Sequence, residues 1–215
     1  MKITHGLMTG QVLQRSAEGR GAANIVGRCV ASGTVELRVR KAAKVVRGHD
    51  WAVVGAASRK QFSASLTALR TGGPYSVELR IKAGRKVADR LAIEEVFVGD
   101  VWMLAGQSNM EGHNYFGPEC TTRFPGIDKA RNDVWCIRAE KISGPLKCGF
   151  GGGAASDNVF GPELVMGRIL GEAIDNPIIM FKSASGGTQL HTRWRPPSAV
   201  KRAGGKTGDL YLRMM

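Results

Sequence analysis

The chain is 215 residues long, 43% hydrophobic and 23% charged, with a formal charge of +13 from 31 Lys+Arg against 18 Asp+Glu. That length and composition allow a buried core in one large domain or two smaller ones, and no apolar run approaches the roughly 20 residues a helix needs to span a bilayer. The opening MKITHGLMTG lacks the apolar stretch of a secretory leader, so neither a membrane span nor a signal peptide is visible and no compartment follows.

Cys29, Cys120, Cys136 and Cys148 form no Cys-x-x-Cys pair, which argues against a structural zinc site or a thioredoxin-like redox centre. They read as mostly buried thiols, and a Cys120 disulfide to Cys136 or Cys148 is an option only in an oxidising compartment. The charge is uneven: residues 1–95 carry 17 basic and 7 acidic side chains, residues 96–215 carry 14 and 11. Such a balance suits a polyanion. The basic residues are nevertheless scattered through alternating patterns without an RNA- or DNA-binding signature. The reading is a solvated basic surface with no nucleic-acid partner, and polyanion binding by the basic half is the alternative.

Short alternating runs fill the first 95 residues: TVELRVR (34–40), WAVVGAA (51–57), QFSASLTAL (61–69) and YSVELRIK (75–82). In the first, Val35, Leu37 and Val39 share one face while Glu36, Arg38 and Arg40 share the other, the period of a half-buried strand. TGGPY (71–75) reads as a turn between two such runs. Strands at near-regular spacing without a helical period predict an antiparallel β-sandwich over residues 1–95.

After Leu91 the texture changes, and the domain boundary is placed at residues 95/96. IEEVFVGDVWMLAG (93–106), DVWCIRAE (133–140) and NPIIMFKSASGG (176–187) read as strands. FGPELVMGRILGEAI (160–174) places Leu164, Val165, Ile169 and Leu170 at helical spacing behind Pro162 and Glu163, which suit a first turn. Strands alternating with a helix predict a helix-covered parallel sheet. GFGGGAAS (149–156) reads as a flexible surface loop, because no strand-then-helix context supports a phosphate cradle.

Ser108 sits in GDVWMLAGQSNMEG (99–112), directly after an apolar strand. A serine there is either a helix N-cap or a nucleophile at the carboxyl edge of a sheet, where ligand sites of parallel α/β folds gather. A second strand ends in SASGGT (183–188). A serine from one exit and glycine amides from the other would supply what acyl transfer requires, an oxygen nucleophile and N–H donors aimed at an oxyanion.

The run VGDVWMLAGQSNMEG resembles the nucleophile block of the sialate O-acetylesterase-like carbohydrate esterases, a branch of the SGNH (GDSL-like) hydrolases. MTGQVLQR, TGGPYSVELRI, FGPELVMGRIL and KSASGGTQL...W resemble further segments of that family in the same order. The resemblance implies an α/β protein, an N-terminal antiparallel β-sandwich followed by a partial flavodoxin-like (SGNH hydrolase) three-layer α/β domain over residues 96–215. It implies a serine esterase that removes O-acetyl groups from carbohydrate through an acyl-enzyme on Ser108, with no metal and no organic cofactor. Ser108 and Gly186 or Gly187 would form the oxyanion hole, Gln107 and Asn109 would fix the nucleophile turn, and Glu163 would stabilise its helix start.

The Asp-x-x-His segment that supplies the family's base has no counterpart before Met215, which predicts a C-terminally truncated chain of little activity by itself. Where relatives often carry an acidic residue after the tryptophan, this chain has Trp194-Arg195. His191 and His113 lie near the two strand exits without matching the family's histidine. The alternative function is a non-catalytic carbohydrate-binding or structural fragment. Neither the acetylated sugar nor the oligomeric state is legible.

Overall fold

The computed structural model describes residues 1–58, 60–138, 142–152 and 157–215. In chain order the elements are β1 (Lys2–His5), β2 (Val12–Gln14), β3 (Arg20–Arg28), β4 (Gly33–Lys41), β5 (Lys44–Val45), β6 (Ala52–Ser58), β7 (Gln61–Arg70), β8 (Gly72–Ala83) and β9 (Lys86–Gly106). There follow α1 (Ser108–Glu111), β10 (Asn114–Tyr115), α2 (Pro118–Arg123), β11 (Arg131–Arg138), β12 (Ile142–Leu146), β13 (Val159–Phe160), α3 (Pro162–Ala173), β14 (Ile178–Ala184), α4 (Pro197–Ala203) and α5 (Asp209–Met214). The chain divides into two compact units, Met1–Val101 and Trp102–Met215, and β9 runs unbroken through the division.

In the first unit β1, β3, β7, β6, β4, β8 and β9 follow one another as hydrogen-bonded neighbours. The expected β-sandwich would need two separate sheets facing each other. Here one sheet curls instead: β2 pairs parallel with β9, and a Cβ on Gly21 of β3 would meet Val98 of β9 at 2.7 Å. The alternation in the sequence places the core, with Val35, Leu37, Val39, Val77, Leu79 and Ile81 all buried.

TGGPY is not the turn expected of it. Gly72 to Tyr75 already belong to β8, and the reversal narrows to Thr71. A second irregularity lies opposite, where Tyr75 pairs with Val96 but Val77 with Ile93, so β9 carries one extra residue there. Glu95 absorbs it at a φ of 56°. That bulge explains how two consecutive glutamates, Glu94 and Glu95, sit in a strand without turning the following valines outward.

In the second unit the neighbour order is β9, β14, β11, β12, with β11 and β14 parallel and β12 antiparallel at the edge. Leu104, Val134, Cys136, Leu146, Ile178 and Met180 build its core with Phe150 and Leu164. The predicted second strand covers Asp133 to Arg138, and Ala139 and Glu140 lie outside the described residues.

The flavodoxin-like three-layer α/β domain is not formed. The chain is 49% strand and 17% helix, and twelve strands join in one mixed sheet. Helices of 4, 6, 7 and 6 residues (α1, α2, α4, α5) are too short to cover a sheet face. Among the described residues α3, with 12, is the longest helix, and it packs Leu164 and Gly167 against the strands. It does so closely, since a Cβ on Gly167 would meet Leu146 at 2.3 Å. Its inward face is Glu163, Leu164 and Gly167, whereas Ile169, expected inside, is 60% exposed. A glycine that admits the sheet and a buried glutamate moved the face away from the apolar spacing. Among the described residues no helix is long and apolar enough to cross a membrane.

Candidate functional site

Two strand exits meet in the second unit. The Ser185 N–H donates to the Gly106 carbonyl at 3.0 Å, which ties the end of β14 to the end of β9. Gly106 has no room for a side chain, because a Cβ there would lie 2.8 Å from Met110 Cβ. The chain then turns into α1, whose N-cap is Gln107 and whose first residue is Ser108. Ser108 is therefore not the cap. Its hydroxyl donates to Gln107 Oε1 at 3.0 Å, and the Gln107 carbonyl accepts from the Met110 and Glu111 amides. Asn109 is exposed and its side chain makes no hydrogen bond among the described residues.

The structure brings Ser108 and Gly186 together: a Cβ built on Gly186 would lie 3.8 Å from Ser108 Cβ. Gly187 follows at a φ of 67° with open space around it. Between the two exits stands a residue absent from the sequence reading. Glu111 lies three positions after Ser108, hence on the same side of the helical turn. Its Oε2 accepts the Gly186 N–H at 2.7 Å. An amide expected to hold an oxyanion thus holds this chain's own carboxylate. His113 Nε2 approaches the same oxygen at 3.5 Å, and Arg138 lies 3.7 Å from Oε1.

Of the described glycines in GFGGG, Gly152 presses on Glu111. Phe150, Gly151 and Gly152 are buried, contrary to the surface loop expected of residues 149–156, and residues 153–156 lie outside the described residues. The Gly152 N–H donates to the Gly112 carbonyl at 2.7 Å, and a Cβ on Gly152 would fall 2.2 Å from Glu111 Cγ. Gly152 admits no side chain because the Glu111 carboxylate comes too near, and Gly151 admits none because Val159 and Phe160 do.

Beneath α1 lies a buried ion pair. Lys182 Nζ donates to Glu163 Oε2 at 2.5 Å and to the Phe150 carbonyl at 3.0 Å, with both side chains wholly out of solvent. Glu163 Oε1 accepts the Gly161 N–H at 2.8 Å, so the helix-start role expected of it and the pairing coexist. Gly161 is wedged between this pair and Gly112, where a Cβ on Gly112 would meet Gly161 Cα at 2.2 Å. Burial pushes the Lys182 ammonium below its usual value against the pull of Glu163. Burial, with the Glu163 charge adding, pushes the Cys136 thiol up to about 12. All four cysteines are free, Cys29 and Cys136 buried, Cys120 and Cys148 partly so.

The loop after the glycines is anchored by Trp194, whose Nε1 donates to Thr188 Oγ1 at 2.9 Å while that hydroxyl donates to the Ser185 carbonyl at 2.6 Å. His191 is exposed on this loop. Among the described residues no group of three or more His, Cys, Asp or Glu side chains could hold a metal ion.

No family model matches the chain, and no curated protein matches it. Solved structures similar to it include the crystal structure of an Arabidopsis thaliana protein, 18% identical over 54% of this chain with a TM-score of 0.37. The match spans 48% of that protein, so this chain covers about half its length. A likeness that distant fixes neither fold nor activity.

Proposed function

We propose that this chain carries the nucleophile of a serine esterase that releases acetate from O-acetylated carbohydrate. The observation that carries the reading is the meeting of Ser108, at the first turn after β9, with Gly186, at the exit of β14. Ser108 Oγ attacks the acetyl carbonyl carbon, the bond from that carbon to the sugar oxygen breaks, and the sugar leaves as an alcohol after taking up a proton. Water then attacks the acetyl-serine and frees acetate and the hydroxyl. The Ser108 and Gly186 amides are the groups to face the oxyanion. For Gly186 this requires the Glu111 carboxylate to turn aside.

The reading names no base, since among the described residues the Ser108 hydroxyl meets only Gln107. The same two contacts, Ser108 to Gln107 and Gly186 to Glu111, favour a second reading in which the chain binds acetylated carbohydrate without turning it over. Incubation with an activated acetyl ester, followed by intact-mass and peptide analysis, separates them. The esterase reading expects acetate release and an acetyl adduct on Ser108, both lost in Ser108→Ala. It is abandoned if neither appears while Ser108→Ala binds acetylated oligosaccharide as tightly as the parent.

A further inference from the structure

The second unit holds a cavity of about 400 Å3 that the Ser108 site does not use. It is lined by residues 191–193, 195 and 206–209, among them His191, Arg193, Arg195, Lys206 and Asp209. Its walls are fastened by backbone: the Gly208 N–H donates to the Arg195 carbonyl at 2.9 Å and the Leu210 N–H to the Arg193 carbonyl at 3.0 Å. The approach leaves no space for a side chain at Gly208, where a Cβ would fall 2.2 Å from the Arg193 oxygen. The two wall segments are therefore locked together before any ligand arrives.

The charges of the lining do not cancel. Its one carboxylate, Asp209, is engaged by Arg193 in a two-pronged contact at 3.0 and 2.5 Å, which holds that carboxyl below its usual range. Arg195 and Lys206 have no ion pair among the described residues. Arg195 is fixed in place, with its guanidinium 3.5 Å from the Ala199 carbonyl and packed against Gly205. Its Nε is sealed from solvent, so a ligand in the cavity meets Arg195 at the terminal nitrogens of its guanidinium, and an oxyanion is the acceptor such a fork fits best.

We infer that this cavity is a binding site for a small molecule bearing an oxyanion, a carboxylate, sulfate or phosphate group, held by Arg195 and Lys206. Thr207 in the lining adds a hydroxyl for the remainder of such a ligand, whereas the Thr192 hydroxyl donates to Gln189 Oε1. A volume of about 400 Å3 admits one small molecule, toward the lower end of known ligand cavities. The site stands apart from the esterase reading and survives its failure.

The experiment follows the Arg195 Nε–H and Gly208 amide resonances by NMR during titration of the whole chain with sodium sulfate, sodium phosphate, glucuronate and glucose, each against sodium chloride of equal ionic strength. Saturable shifts with one or more of the anions and none with glucose are expected. A glucuronate preference identifies an acidic sugar as the source of the oxyanion, and a sulfate or phosphate preference identifies an ester of those acids. Arg195→Ala should weaken binding roughly tenfold or more, as loss of a charge-assisted hydrogen bond does. Lys206→Met, a change at an exposed position, should also weaken it, and its Arg195 resonance remains available as a readout. Shifts no larger than those in sodium chloride, shifts equal for glucose and glucuronate, or unchanged binding in both Lys206→Met and Arg195→Ala would overturn the assignment.

Discussion

On the face of β4 and β8, Glu36 stands opposite Arg80 and Arg38 opposite Glu78, and each pair closes across the strands while its side chains keep partial contact with water. Between β14 and α3, Glu163 and Lys182 make the same kind of pair with no contact with water at all. The first arrangement extends a sheet surface, with both guanidiniums over Trp51 at 4.7 and 4.0 Å from the ring centroid. The second sits in a core, and its oxygens and ammonium also serve the Gly161 amide and the Phe150 carbonyl. The comparison teaches that identical chemistry is weakly stabilising where water competes and decisive where it is excluded. In the core neither partner can lose the other without stranding a charge.

The largest expected effect is therefore on breaking the buried pair. Lys182→Met or Glu163→Leu alone should destabilise the second unit by about 3–5 kcal/mol, whereas the double change should recover most of that loss. Denaturant unfolding measures it, and alkylation of Cys136, whose thiol burial pushes up to about 12, reports the opening of that core. Single variants that each cost no more than about 1 kcal/mol would show that the pair matters no more than the surface ladder.

The next effect is steric. Gly112→Ala combines a φ of 76° with a Cβ 2.2 Å from Gly161, so it should cost more than the roughly 1–3 kcal/mol of a strained backbone alone. Gly10→Ala, also at positive φ but with nothing within 4 Å, should cost about 1 kcal/mol. The difference between the two in thermal unfolding isolates the close approach of α1 to Gly161.

A smaller effect separates the units by pH. Burial alone would raise the Glu36 carboxyl, but the Arg80 hydrogen bond and charge, with Lys82, together hold it below its ordinary 4.5. A depressed folded value means that the stability it contributes is fully present above 4.5 and is lost as pH falls through the folded value. Glu36→Gln should thus be less stable near neutrality and lose less stability on acidification below that point. An acid limb identical to the parent's would remove Glu36 from the account. The smallest change is expected for Trp51→Ala, about 0.5–1 kcal/mol for two partly exposed cation–π contacts whose arginines keep their carboxylates.

How much of this was legible follows the same division. β4 and β8 could be read from their alternation, because in a half-buried strand burial and sequence period are the same fact. The extra residue at Glu95 escaped, since a bulge is set by pairing with a distant strand. In the second unit the serine turn and the glycine exit were legible as strand endings, while Glu111 was visible only in hindsight, as the residue one helical turn on from Ser108. Gly152 gave no signal, because its need for a missing side chain comes from a helix about 40 residues earlier in the chain.

By itself the sequence determined where β4, β6, β7, β8, β11 and β14 run, which faces of β4 are apolar and which polar, and that Ser108 and Gly186 each follow a strand. Those properties depend on neighbours a few residues away, and local sterics and hydrophobic period dictate them. Tertiary structure alone decided that the strands form one mixed sheet instead of a sandwich and a three-layer domain, that Lys182 finds Glu163, and that the Gly186 amide is met by Glu111. It also built the cavity around Arg195. Each of these results from which distant segments pack together, and the free energy of that choice is shared among contacts that no short stretch of chain contains.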